Sequence, residues 1–205
     1  MKITVLGISP LGCVVAAACS RHFGVAALDA DAAVVDDLRA GRTRQREPGL
    51  ADLIATNRAA RRLEFTTNTI LACLGADVLW VTDDTAESDA AALLARVRAI
   101  LPNLSPGTLV LISSPLPAGS CAALEREFPQ FHFGCVPLPR PAGVALDAFE
   151  KAERVTVGMR SAAKEALLEN LFAPFTQNVH FVATEAAEAL ASTDSAGDRR
   201  DDPHS

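Results

Sequence analysis

Along this chain, short continuous apolar runs alternate with stretches in which apolar residues recur every three or four positions. Lys2-Ile3-Thr4-Val5-Leu6, Val25-Ala26-Ala27-Leu28, Val78-Leu79-Trp80-Val81 and Leu109-Val110-Leu111-Ile112 read as strands. Runs with so little polar alternation suit strands buried on both faces. Leu63-Glu64-Phe65, Phe131 to Val136, Val155-Thr156-Val157 and Val179-His180-Phe181-Val182 read as further strands. Helical spacing lies between them, from Val14 to Ala18, and in Val34, Val35 and Leu38 behind an Asp31 cap with Gly41 near the end. It recurs in Leu50, Leu53 and Ile54, after an Asn68 cap, in Leu93, Leu94, Val97 and Leu101, and in Ala166, Leu167, Leu168 and Leu171. Arg42 to Arg46 reads as a polar loop and Pro106-Gly107 as a turn. This alternation predicts an α/β fold, a doubly wound and mostly parallel sheet with helices on both faces. Residues 1–185 are assigned to that domain and 186–205 to a helix end and a polar tail. Ser192 to Ser205 carries too few apolar groups to offset the entropy of ordering and is expected to be disordered.

The first strand-to-helix junction holds the strongest chemical signal. Gly7-Ile8-Ser9-Pro10-Leu11-Gly12 follows the strand directly, in the order that cradles a dinucleotide pyrophosphate in a Rossmann-like domain. Gly7 and Gly12 fill the tight-turn and helix-packing roles of that fingerprint. Ser9 stands in place of the middle glycine and brings a Cβ to the point of closest phosphate approach. Pro10 removes one N–H, although proline suits a first helical turn, and the helix N-terminus still favours an anion. Asp29 ends the second strand where an acid accepts both ribose hydroxyls, which favours NAD over NADP.

Composition narrows the remaining classes. The chain has 205 residues, 49% of them apolar, enough for a sizeable core. A net charge of -6 with no basic block gives nucleic-acid binding little support, and the absence of tyrosine argues against a base-stacking surface. No apolar run is long enough to span a bilayer. Lys2 is followed by a strand and a glycine turn, which reads against a signal peptide. Cys13, Cys19, Cys73, Cys121 and Cys135 form no C-x-x-C pair, so reduced, mostly buried thiols and a cytoplasmic location are expected. His22, His132, His180 and His204 show no metal-ligand spacing, and no metal site is expected. His132 and His180 lie in apolar strand patterns and read as structural histidines.

The order of motifs resembles the N-terminal NAD-binding domain of the UDP-glucose/GDP-mannose dehydrogenase family. Met1 to Gly7, Leu28-Asp29-Ala30-Asp31, Leu38-Arg39-Ala40-Gly41 and Glu47-Pro48-Gly49-Leu50 carry the resemblance. So do Leu63-Glu64-Phe65-Thr66-Thr67, Ala76-Asp77-Val78, Pro106-Gly107-Thr108 and Arg154-Val155-Thr156-Val157-Gly158. Together they span about residues 1 to 183. The resemblance implies NAD chemistry that oxidises a nucleotide-sugar C6 alcohol to a carboxylate. Cofactor contacts are expected at Gly7, Ile8, Ser9, Pro10, Leu11, Gly12, Asp29, Thr82 and Ser114, with the Thr82 segment at the position the family has near the nicotinamide.

The departures fall at functional positions. Thr82-Asp83-Asp84-Thr85 replaces a Gly-Thr-Pro segment and adds carboxylates that repel a pyrophosphate unless they are paired or solvated. Ser113-Ser114-Pro115-Leu116-Pro117-Ala118-Gly119 puts Pro115 where the family has a water-ordering threonine. Pro137-Leu138-Pro139-Arg140-Pro141-Ala142 puts Leu138 at the family's catalytic glutamate and Ala142 at its second glutamate. Neither side chain moves a proton. With Ala187-Glu188 beginning the family's central helix, its lysine and asparagine fall near Ala191 and Ser195. The family's nucleophilic cysteine belongs to a C-terminal domain, and none of the five cysteines inherits its role.

No residue of this chain is therefore expected to be catalytic. The first reading is a non-catalytic relative that binds NAD or a related nucleotide and acts as a regulatory or partner subunit. One alternative is an NAD-dependent UDP-sugar oxidoreductase subunit completed by another chain. The other is a ligand-free protein-interaction module on the same scaffold.

Overall fold

Every residue of β4 (Val78–Val81) and β5 (Leu109–Ile112) is buried, which places this pair at the centre of a sheet covered on both sides. The computed structural model describes residues 1–43, 45–83, 89–139, 141 and 143–197, with the backbone alone for 192–197. Its sheet has eight strands in the order β3-β2-β1-β4-β5-β6-β7-β8. The others are β1 (Lys2–Leu6), β2 (Gly24–Leu28), β3 (Leu63–Thr66), β6 (His132–Cys135), β7 (Val155–Met159) and β8 (Val179–Val182). All adjacent pairs are parallel except β6 with β7, where Cys135 faces Gly158. The chain order reverses at β1, where strands to one side lead to β3 and strands to the other lead to β4. Such a switch point opens a crevice at the carboxyl ends of the strands.

Helices cover both faces. Ile3, Val5, Val78, Trp80, Leu109 and Leu111 share a core with α1 (Pro10–Cys19), α3 (Leu50–Ala59), α7 (Ala145–Glu150) and α8 (Glu165–Phe172). Alternate strand residues, among them Leu6, Leu79, Val81, Val110 and Ile112, pack on the other side with α5 (Ala90–Ile100), α6 (Ser120–Glu127) and α9 (Thr184–Gly197). Trp80 meets Phe172 edge-on at 5.6 Å, and its Nε1 donates to Ser113 Oγ at 2.9 Å. Ser113 Oγ in turn donates to Val136 O at 2.6 Å, so the largest core side chain buries no unpaired donor.

The expected caps are in place. Asp31 Oδ1 accepts from Ala33 N at 2.8 Å to start α2 (Ala32–Arg39), and Asn68 Oδ1 accepts from Leu71 N at 3.1 Å to start α4 (Thr69–Cys73). Three features differ from the sequence expectations. Helices α6 and α7 arise where no helical pattern stood out, each without a side-chain cap from its own N-cap residue. Helix α9 runs to Gly197, so the polar stretch from Ser192 begins as helix rather than disordered tail, and residues 198–205 lie outside the described residues. His180 is exposed on β8 instead of sitting in the core, because β8 ends the sheet and is only half-covered.

All five cysteines are buried free thiols. Burial pushes Cys135 up to about 12 from its ordinary 9.0, helped by the Glu188 charge, and pushes Cys73 up to about 11 despite nearby Lys2. An unfolded chain ionises its thiols near 9.0 while the native one keeps them protonated, so stability declines as pH rises from 9.0 toward 12. The thermal midpoint should fall across that interval, and a thiol reagent at pH 8 should label the native chain far more slowly than the urea-unfolded one. At Gly158 a Cβ would come within 2.5 Å of Ala187 Cβ, so α9 sits on β7 with no room between them. Gly158→Ala should cost about 1–3 kcal/mol in urea unfolding.

Candidate functional site

The β1–α1 turn is built by close approach. Gly7 has φ +91, and a Cβ there would lie 2.9 Å from Asp83 Cα. A Cβ at Gly12 would lie 2.0 Å from Gly7 O and 2.8 Å from Thr82 Oγ1. Gly12 is thus required by the packing of α1 on the end of β1, and Gly7 by its positive φ and the close approach of the Asp83 backbone. Thr82 is fully buried, and its Oγ1 donates to Gly7 O at 2.9 Å. Its part is to fix the turn from the neighbouring strand.

Ser9 is the N-cap of α1. Its Oγ accepts from Gly12 N at 3.2 Å and donates to Thr82 O at 2.7 Å, with Pro10 next at the first helical position. The serine hydroxyl therefore turns inward to the helix and to β4. The sequence marks Ser9 as an obstacle to close phosphate approach and as a cofactor contact, and its capping role lies outside both readings. The signal that identifies its second role is a serine directly before proline at a helix start. Gly7 N donates to Leu28 O, Ile8 N to Asp29 Oδ2 and Gly12 N to Ser9 Oγ, while Pro10 has no N–H. Most donors of the turn are already engaged within the protein.

Asp29 stands at the carboxyl end of β2, half-buried, between this turn and α2. Oδ2 accepts from Ile8 N at 2.8 Å and Oδ1 from Asp31 N at 3.0 Å. These bonds orient the carboxylate, and each oxygen keeps a lone pair for a further donor. Cys13 lies close enough to Asp29 for that charge to add to burial, and its thiol is pushed up to about 12.

The opposite wall of the crevice is closed differently. Asp83 pairs with Arg96 of α5, so one of the added carboxylates is neutralised. Asp84 and Thr85 lie outside the described residues, as do Arg140 and Ala142. Ser114, after β5, is buried with an Oγ that has no hydrogen-bond partner among the described residues. Such an orphaned hydroxyl beside the crevice suits contact with a bound polar group. The N-terminus of α6 is already filled by Glu188 of α9, whose carboxylate accepts from Gly119 N at 2.6 Å and Cys121 N at 3.0 Å. The sequence marked Glu188 only as part of a helix start. Its capping role bridges 69 residues of chain and has no local signal.

Leu138 is buried in the same core as Val14, Phe149 and Phe172. Pro115 is half-buried and Leu116 buried, so the loop after β5 is anchored by apolar contact. Glu47 Oε1 accepts from Leu146 N at 3.0 Å and ties its own loop to the first turn of α7. Among the described residues no group of three or more His, Cys, Asp or Glu side chains is placed to hold a metal ion. No helix among them is long and apolar enough to cross a membrane.

The family model for the NAD binding domain of the UDP-glucose/GDP-mannose dehydrogenase family matches residues 1–176. A UDP-glucose 6-dehydrogenase from Rhizobium meliloti (strain 1021) is 30% identical over 186 residues, covering 82% of this chain and 42% of that protein. A GDP-mannose dehydrogenase from Pseudomonas aeruginosa, solved as a ternary complex, superposes with a TM-score of 0.86 at 21% identity, covering 97% of this chain and 50% of that one. A UDP-glucose dehydrogenase from Pyrobaculum islandicum superposes with a TM-score of 0.83 at 22% identity, covering 92% and 48%. The chain spans about half the length of these proteins or somewhat less.

Ser9→Ala should destabilise the protein by about 1 kcal/mol through loss of the cap, whereas Ser9→Gly should cost only a few tenths. Urea unfolding of the two variants against the parent checks the order.

Proposed function

Because the chain belongs to the UDP-glucose/GDP-mannose dehydrogenase family through its NAD binding domain, we propose that residues 1–197 bind NAD without carrying out the family's oxidation. The observation that carries the reading is the contrast between the two ends of the crevice. At the β1–β2 end the elements that hold a dinucleotide are formed. Gly7 and Gly12 hold the turn of the dinucleotide fingerprint with no room for a Cβ at either, and Asp29 is oriented by two backbone N–H groups. These residues fit the adenosine half of NAD, with Asp29 accepting from the ribose hydroxyls. Ser9 and Pro10 leave few free donors for the pyrophosphate, so the affinity expected is weak. Ser114 offers its unpartnered hydroxyl toward the nicotinamide half.

At the β5–β6 end the groups that would move protons are replaced. Leu138 is buried in the core and Pro115 has neither hydroxyl nor N–H. NAD, when bound, would supply the hydride acceptor, and neither Leu138 nor Pro115 can draw a proton from an alcohol. A regulatory or partner role follows from a site that binds without reacting, and a cytoplasmic location fits the family and the protonated, buried thiols. In a second reading the domain serves an NAD-dependent UDP-sugar oxidoreductase whose remaining catalytic groups come from another polypeptide, in keeping with the formed β1–α1 turn and the oriented Asp29.

Calorimetric titration separates these outcomes. NAD should bind to a single site with an affinity in the high micromolar to millimolar range, and Asp29→Ala should weaken it roughly tenfold, as loss of charge-assisted hydrogen bonds does. Unchanged affinity in Asp29→Ala would remove the ribose assignment. NADH formation from UDP-glucose, followed by absorbance with the chain alone, should be absent, and turnover there would overturn the non-catalytic reading. Turnover only on mixing with a C-terminal dehydrogenase half would favour the second reading.

A further inference from the structure

A cavity of about 580 Å³ opens beside α1, between the segment following β6 and α7. We propose that it binds a small molecule with an apolar body and one carboxylate, at a place separate from the Asp29 end of the dinucleotide crevice. Its volume lies in the range that holds a small ligand. Val14, Leu138, Phe149 and Phe172 form its depth, and all four are buried members of one apolar core. An aromatic or aliphatic body fits against the apolar part of the lining, which Pro137, Pro139 and Ala145 extend, while Lys151, Glu153, Arg154 and Asn178 supply polar groups to the rest.

The mouth supplies the charge. Lys151, Glu153 and Arg154 line it, together with Asn178 at the start of β8. Lys151 is engaged by Asp147 one turn earlier in α7. Arg154 has no ion pair among the described residues, so its guanidinium is the cation left to take a carboxylate, with the Asn178 amide beside it. Glu153 opposes the same anion, which makes the mouth selective in a way that can be tuned from either side. Leu138 is what changes the character of the cavity. The family resemblance puts a glutamate at this position, and a leucine there turns a polar wall into an apolar one.

Titration of the whole chain with 2-naphthoate, and with 2-naphthol as its neutral counterpart, tests the assignment. Naphthoate should bind one site, Arg154→Gln should weaken it roughly tenfold, and Glu153→Gln should tighten it. Ala148→Phe fills the cavity and should abolish naphthoate binding while NAD binding persists. Should that variant fail to fold, the two mouth variants still decide the matter. No heat with naphthoate up to millimolar concentration, equal binding of naphthol, or indifference to Arg154→Gln would each overturn the proposal. Because the inference does not rest on the dinucleotide, an NAD titration of the same sample reads the two sites separately.

Discussion

At Gly12 the backbone of α1 lies so close to the end of β1 that no side chain fits between them. That contact sets the height of α1 above the sheet and the direction in which its N-terminus points. Thr82 holds it from β4, and Asp29 holds it from β2 through Ile8 N. The turn is thus pinned by three adjacent parallel strands, and the crevice above it inherits their geometry. A Cβ at Gly12 would part helix from strand and move every donor in the site at once.

Ser9 and Pro10 show how such a turn can be kept while its chemistry changes. Serine before proline is a good helix start, and the hydroxyl satisfies Gly12 N internally. The same bond removes a donor that an anion would otherwise use. Stability of the turn and affinity for phosphate therefore draw on the same N–H groups. A parallel arrangement operates at α6, where Glu188 neutralises the positive end of the helix from within the protein. In both places an anion-binding helix end is used for folding.

The distribution of change across the crevice has a physical pattern. Residues that shape backbone, Gly7, Gly12 and Gly158, are constrained by contacts too short to admit a Cβ. Leu138, at a position where the family resemblance implies a catalytic glutamate, is under no such constraint and is taken up by the apolar core. The fold persists because its close contacts lie elsewhere.

Much of this architecture is legible without coordinates. Apolar runs such as Val78 to Val81 specify buried strands because both faces of a parallel sheet are covered. Asp31 and Asn68 announce helices because their caps bond to neighbours two or three residues away. Gly7, Gly12 and Asp29 mark the crevice because their spacing reflects a single βαβ unit. What only the tertiary structure decided lies at long range. Helix α6 takes its cap from Glu188, Leu146 N of α7 finds its acceptor in Glu47 across 99 residues, and β7 joins β6 antiparallel. Residues 192–197 become helix as a continuation of α9, which is seated on Gly158 and tied by Glu188. Local patterns encode interactions between near neighbours. The partners of Glu188, Glu47 and Ser9, and the cavity behind Leu138, exist only once distant segments are brought together.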